Sequence, residues 1–432
     1  MADTKAAAFL PYGRQVIEED DIAAVAQALR ADLLTTGPKV AAFEEAFAAK
    51  VGARHAVACS NGTAALHLAM MALGLKPGQV TIAPSLTFLA TANCARFEEA
   101  EVQFADVDPN TGLMTPETLE MAISRVQNQG DAKLRAVLPV HYGGNPADLP
   151  RIRALAEAAG AVVVEDACHG LGTRMDFGSG REQIGDCTHS AMATFSFHPV
   201  KTIACGEGGM VTTNDPVLAA RLMRLRSHGM VRQPDAFSLT AMAFDEREDG
   251  SREPNPWFYE MPQIGYNYRL PDVLCALGIS QLAKLDRFAA RRRTLAALYR
   301  QHMAELAPVV SLVATPQGSD PALHLMVALI DFKAVGLSRK QVMDGLAARG
   351  IGSQVHYIPV HRQPYYQDRY GLIDLPGADA FYSRCLSLPL FAGMEDSDPE
   401  RVVSALRAVL GLQGAEPAAL RTGAGFRSVL SV

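Results

Sequence analysis

Lys201 closes the run Phe195-Ser196-Phe197-His198-Pro199-Val200-Lys201 and is followed by Gly206-Glu207-Gly208-Gly209 and a strand pattern. Burial among apolar neighbours disfavours an ammonium ion, lowers its pKa and frees the amine as a nucleophile. Such a lysine forms a Schiff base with a carbonyl compound, whereas a lysine judged on spacing alone is more often a surface charge or half of a salt bridge. Asp166 ends the apolar run Val162-Val163-Val164-Glu165-Asp166. That is the strand edge where α/β proteins place ligands, although an acidic residue there also serves as a helix N-cap. His169, three residues on, reads either as a ligand contact or as a satisfied core histidine. Ser60-Asn61-Gly62-Thr63 opens an apolar helix directly after a strand. Free N–H groups, a close-approach glycine and hydroxyls there make a phosphate cradle, or else a plain cap. Phe88, just beyond another strand, reads as a stacking surface or as core. Together these groups would serve pyridoxal phosphate (PLP), whose ring needs a carboxylate at the pyridine nitrogen to act as an electron sink.

The elements that must position them alternate. Apolar, β-branched runs at 55–58, 80–83, 102–105, 136–140, 161–165 and 210–213 are separated by segments of helical spacing at 64–73, 116–126 and 149–159. Alternation of this kind predicts βαβ units and a mostly parallel sheet covered on both faces. Residues 233–255, rich in charge, Gly, Pro and Ser, read as a long loop or insertion. A long basic helix is expected over 271–303, then a smaller α+β unit with elements at 325–331, 338–348 and 387–390. The domains expected are 1–270 with an N-terminal arm, 271–412, and a mobile tail over 413–432.

Composition narrows the class. The 432 residues are 49% hydrophobic and 20% charged, which is ordinary for a globular protein and long enough for two or three domains. Forty basic against 46 acidic residues give a net charge of −6, the wrong balance for a nucleic-acid binder. Seven cysteines without a CxxC pair argue against structural zinc and a disulfide framework. No metal site is expected. The charge-free stretches 55–75 and 77–95 contain Asn61, His67, Pro84 and Asn93, so they read as buried core rather than membrane spans. The N-terminus lacks a signal-peptide core, and a cytoplasmic location is expected. A dinucleotide-dependent dehydrogenase is disfavoured, because no GxGxxG follows a strand pattern.

The ordered motifs SNGTAAL, PSLTFLATANCA, VVVEDACHGLG, FSFHPVKT with GEGG, and GYNYRLPD resemble those of the DegT-type sugar-nucleotide aminotransferases, and the match runs from PYGRQ to LSLPLF. The resemblance implies PLP fold type I: a large, mostly parallel seven-stranded α/β sheet domain with a smaller C-terminal α+β domain. It further implies that Lys201 binds the cofactor aldehyde and carries the proton, and that Asp166 meets the pyridine nitrogen. Phe88 and His169 would flank the ring, Gly62, Thr63 and Ser196 would hold the phosphate, and Asn267 would reach the phosphate of a neighbouring subunit's cofactor in a homodimer. Substrate contacts are expected at Tyr12, Thr36, Arg269, His324, His356 and His361. Ser196–Lys201, Trp257–Met261, Gly265–Leu270 and Gln354–His361 are most similar to the branch of the family acting in pseudaminic acid synthesis. That likeness implies transfer of the L-glutamate amino group to C4 of a UDP-linked 4-keto-6-deoxy sugar. The alternatives are another sugar nucleotide of the perosamine, bacillosamine or legionaminic type, or a PLP-binding regulatory protein without turnover. A PLP-dependent dehydratase is disfavoured by Lys201, since such relatives carry histidine there. Ala204-Cys205 stands where the family usually has two hydroxyl residues.

Overall fold

The computed structural model describes residues 8–128, 130, 132–178 and 180–412, so the expected tail over 413–432 lies outside the described residues. Seven strands form the main sheet: β1 (His55–Cys59), β2 (Gln79–Pro84), β3 (Glu101–Ala105), β4 (Lys133–Val137), β5 (Val162–Asp166), β6 (Met192–Ser196) and β7 (Gly209–Thr213). Their order is β1-β7-β6-β5-β4-β2-β3, with β7 alone antiparallel to its neighbours. Both faces are covered, which is why the strands are apolar on successive residues. Val57 and Val164 join one core cluster, while Ala56, Ala58 and Val163 join clusters on the opposite face. The α/β class and the mostly parallel seven-stranded sheet therefore agree with expectation.

Among the helices, α1 (Glu19–Leu29) and α2 (Pro38–Val51) precede the sheet, and α3 (Gly62–Leu73) follows β1. Asn61 caps α3 by accepting the Ala64 N–H at 2.8 Å, and Gly74 ends it in the left-handed conformation at φ 67°. Ten of the twelve α3 residues are buried, which explains the charge-free stretch around it. No helix among the described residues is long and apolar enough to cross a membrane.

Three expectations need correction. The helix expected over 271–303 is two helices, Asp272–Ala283 and Leu285–Met303, broken at Lys284. There the Lys284 amine turns to the buried Asp21 carboxylate at 2.6 Å, and the chain passes from one core (Leu282, Leu285, Phe288) to another (Leu295, Tyr299, Met303). The strand expected over 136–140 pairs continuously only to Val137, because Val140 makes an isolated bridge to Asp166 as the chain leaves the sheet. Segment 233–255 is not a plain loop. It holds a short helix, Thr240–Ala243, and a hairpin pairing Phe244–Glu246 with Arg252–Pro254, around a small core of Val231, Phe237 and Ala243.

A second sheet of three antiparallel strands, Val310–Leu312, Met326–Ile330 and Cys385–Leu388, packs with helices Arg339–Ala347 and Asp398–Leu410. From its edge, Gln354 bridges to Ser387, and the chain then crosses to β2, where the Val360 N–H meets the Ser85 carbonyl at 2.8 Å. That crossing carries His356, Tyr357 and His361 towards the main sheet.

Candidate active site

Register brings the chemistry to one edge. Gly209, at the start of β7, pairs with both Cys59 and Ser196, so the carboxyl ends of β1 and β6 flank it on either side. Asp166 ends β5 next to them, paired with Thr194. A Cβ on Gly209 would lie 2.3 Å from the Asn61 carbonyl oxygen, so the glycine lets the turn into α3 settle onto the sheet.

The α3 turn is built as an open cradle. Asn61 occupies the Ala64 N–H, and among the described residues the N–H groups of Gly62 and Thr63 have no acceptor. A Cβ on Gly62 would lie 2.8 Å from the Ser196 Cβ and 3.4 Å from the Cys168 sulfur. Gly62 and Ser196 therefore meet, with Thr63 next in the turn, and the helix N-terminus supplies donors and a favourable dipole for an anion.

Asp166 is buried. Its Oδ2 accepts the Thr91 hydroxyl at 2.6 Å and its Oδ1 accepts the Cys168 N–H at 3.1 Å. Thr91 sits in the first turn of Leu89–Phe97, and its hydroxyl is also 2.8 Å from that of Thr87. The carboxylate is thus held from the helix that follows β2. Lys201 is partly buried, and burial lowers its ammonium below the ordinary lysine value, against the opposing influence of Cys168 and Asp166. Burial, then Asp166, push the Cys168 thiol well up.

Within electrostatic reach of Lys201 is a buried group of imidazoles. His169 and His324 lie with ring centroids 4.4 Å apart, and His356 is held by Ser387 Oγ at 2.8 Å. Burial and then nearby positive groups, Lys201 among them, keep all three neutral, His169 and His324 well below the usual histidine value and His356 down at about 3. The Gly143 N–H donates to His169 Nδ1 at 3.2 Å, so the ring proton lies on Nε2, which meets the Tyr357 hydroxyl at 3.0 Å. Tyr357 stacks on His169 at 6.1 Å and lies 6.0 Å from the half-exposed ring of Phe88. Tyr12 lies 5.5 Å from His356.

The other expected residues lie elsewhere in this chain. His361 is buried with its Nδ1 on the Ser85 hydroxyl and its Nε2 3.9 Å from Asp379, where it ties the crossing segment to the end of β2. Thr36, at φ 56°, is exposed, and its loop is fastened by the N–H groups of Gly37 and Lys39 to the Asp272 carboxylate. Asn267 is exposed and Arg269 half-buried. Among the described residues, none of these four shares a hydrogen bond or ring contact with the Lys201 group. Next to Asn267, however, the Tyr268 carbonyl accepts the Ser60 N–H at 2.8 Å, so its loop borders the cradle.

Tyr357 and Thr91 were not singled out from the sequence. Tyr357 lies inside the His356–His361 motif, so its neighbourhood was visible but its contact with His169 spans 188 residues. Thr91 follows Phe88 by one short turn, a spacing whose meaning depends on where β5 ends.

The residues fit PLP on chemistry and space. Free N–H groups and a hydroxyl suit a phosphate, a doubly hydrogen-bonded carboxylate stands at the sheet edge, and an amine softened by burial feels the charge of that carboxylate. The cradle is one that a side chain on Gly62 would fill.

A model of the DegT/DnrJ/EryC1/StrS aminotransferase family matches residues 15–407. Among solved structures, the Helicobacter pylori aminotransferase PseC, involved in the biosynthesis of pseudoaminic acid, superposes with a TM-score of 0.80 at 24% identity, over 93% of this chain and 99% of that one. A putative sugar aminotransferase from Streptococcus pneumoniae in its PLP form gives 0.79 at 24% identity over the same shares. A DegT/DnrJ/EryC1/StrS aminotransferase from Brucella abortus gives 0.77 at 30% identity, over 91% of this chain and 96% of that one.

Proposed function

We propose, for a chain that belongs to the DegT/DnrJ/EryC1/StrS family of PLP-dependent aminotransferases, that it moves the amino group of L-glutamate to C4 of a nucleotide-linked 4-keto-6-deoxy sugar. A UDP-linked sugar of the pseudaminic acid route is the reading preferred here. It is supported by the motif likeness at Ser196–Lys201 and Gln354–His361 and by the fold shared with the H. pylori enzyme. The observation that carries the reaction is the meeting of Lys201, Asp166 and the Gly62–Ser196 cradle at one sheet edge.

PLP, when bound, supplies an electron-accepting ring that allows a proton to leave the carbon bearing the amine. The chain supplies the rest. Gly62, Thr63 and Ser196 hold the phosphate, while Asp166, fixed by Thr91, keeps the ring nitrogen protonated. Lys201 would move the α-proton of glutamate to the aldehyde carbon of the cofactor and, in the second half, a proton from that carbon to C4 of the sugar. A lysine made less basic by burial suits both directions, because its neutral form accepts the proton and its charged form donates it. Neutral His324 and His356, with Tyr12, offer uncharged hydrogen-bonding groups to a sugar rather than a charge to a carboxylate. The exposed Asn267 serves a second subunit's phosphate in a homodimer, and a cytoplasmic location agrees with this substrate class.

The purified protein incubated with L-glutamate and a panel of UDP-, GDP- and dTDP-linked 4-keto sugars tests the proposal. Mass and NMR configuration of the product should show a new C4 amine on a UDP-sugar. Reaction of dTDP-sugars alone would remove the pseudaminic assignment, and bound PLP whose visible absorbance ignores glutamate would remove the aminotransfer.

A further inference from the structure

Resting on that reading of the substrate as nucleotide-linked, we infer that segment 231–260 forms the cleft that receives the pyrimidine nucleoside diphosphate part. Its floor is built. Phe258 meets Phe237 edge-on at 4.9 Å, and Phe237 meets Phe244 at 6.2 Å. The buried Glu260 carboxylate locks the insertion down by accepting the N–H and hydroxyl of Ser238 at 2.9 and 2.8 Å and the Leu239 N–H at 2.5 Å. Glu260 also pairs its backbone with Val231. The insertion is therefore a platform with its own core.

What the platform presents is aromatic and cationic. Trp257 is 71% exposed and Tyr259 54% exposed, beside a cleft of about 290 Å³ that Arg232, Phe237 and Pro254 also line. The Arg232 guanidinium lies 5.9 Å from the Tyr259 ring centre, and among the described residues no carboxylate pairs with it. An unpaired cation beside one exposed aromatic ring, in a cleft lined by a second, suits a planar base and its phosphates, since bases stack on aromatic rings and arginine pairs with phosphate oxygens. The cleft also connects to the chemistry. From the Val231–Glu260 bridge the two segments run side by side to the Ser227–Asn267 bridge, and the next residue, Tyr268, accepts the Ser60 N–H at the foot of the cradle.

Trp257 is the chain's one tryptophan, so its emission reports on the cleft without labelling. Titrating the holoenzyme with UDP, excited for tryptophan, should give saturable quenching, with uridine weaker and inorganic pyrophosphate silent. Arg232→Gln should weaken UDP more than uridine. Trp257→Ala should raise KM for the nucleotide sugar by roughly 10- to 100-fold, the loss expected for one stacked base, and Trp257→Phe should restore most of it. Visible absorbance of bound PLP verifies that each variant is loaded. No saturable response to millimolar UDP, or an unchanged KM in Trp257→Ala, overturns the inference. Emission that follows protein concentration and ignores UDP overturns it too, in favour of a contact between copies of the chain. The two readings fail separately. UDP quenching without amination of any keto sugar keeps the cleft and sinks the reaction, while amination with a silent Trp257 does the opposite.

Discussion

Replacing Gly62 by alanine should weaken PLP binding while leaving the chain folded. Gly62 begins α3 without needing a left-handed φ, so alanine suits its backbone, and the helix gains at most about 1 kcal/mol from propensity. Against that, the new Cβ would lie 2.8 Å from the Ser196 Cβ. Carbon atoms prefer roughly 3.5–4.0 Å, so the end of β6 or the α3 turn must retreat by about 1 Å. The Ser196 Cβ is bound directly to its strand backbone and cannot swing aside. Overpacking of this size costs about 1–3 kcal/mol, leaving a net destabilisation between about 0 and 3 kcal/mol. The same displacement misaligns donors that must meet a phosphate. Losing one charge-assisted hydrogen bond of about 1.5–3 kcal/mol lowers PLP affinity on the order of 10- to 100-fold. Equilibrium dialysis against PLP and thermal melting of the PLP-free protein measure the two effects separately. Ser196→Gly in the Gly62→Ala background should restore the melting temperature, because it removes the clashing atom, but not the affinity, because it removes a phosphate donor too. PLP affinity within twofold of the parent in Gly62→Ala would refute the cradle.

Lys201→Ala and Lys201→Arg should both abolish transamination yet retain PLP held by the phosphate and ring contacts, since a guanidinium stays charged and forms no Schiff base. Residual turnover would point to another lysine. With His356 held down at about 3 in the fold against about 6.5 unfolded, the unfolded chain binds protons first as pH falls. Stability should therefore drop below about pH 6.5 and keep dropping towards pH 3, with His356 alone accounting for about 2 kcal/mol by pH 5. His356→Gln should flatten the dependence of melting temperature on pH, and an unchanged slope would refute the buried neutral ring. Lys201→Ala and Asn267→Glu, each inactive alone, should recover activity when unfolded and refolded together, up to about half of the capacity of each mixed dimer. No recovery, with both variants dimeric by size, would mean that each chain owns its whole site.

Much of this molecule was legible in one dimension because its signals are local. A strand buried on both faces must be apolar on successive residues, so β1 to β5 and β7 were visible, as were α3 and the helices after β3 and β4. Strand β6 was the exception. Met192–Ser196 carries Thr194 and Ser196, and its identity depends on pairing with Gly209 to Thr212 across a turn that holds the lysine. Lys201, Asp166, Gly62 and Phe88 were each readable as candidates, because residue type and position at a strand end limit what they can do. The rest waited on contacts between distant segments. Tyr357 reaches His169, Thr91 reaches Asp166, and the break at Lys284 answers to Asp21, 263 residues away. The insertion shows the same limit. Its composition speaks of loop, yet Glu260 and three phenylalanines fold it into a platform. Residue chemistry and short-range periodicity are properties of the chain itself; which of those residues share a desolvated space, and so which pKa values move and which rings meet, is decided only when the sheet order places β5, β6 and the crossing segment side by side.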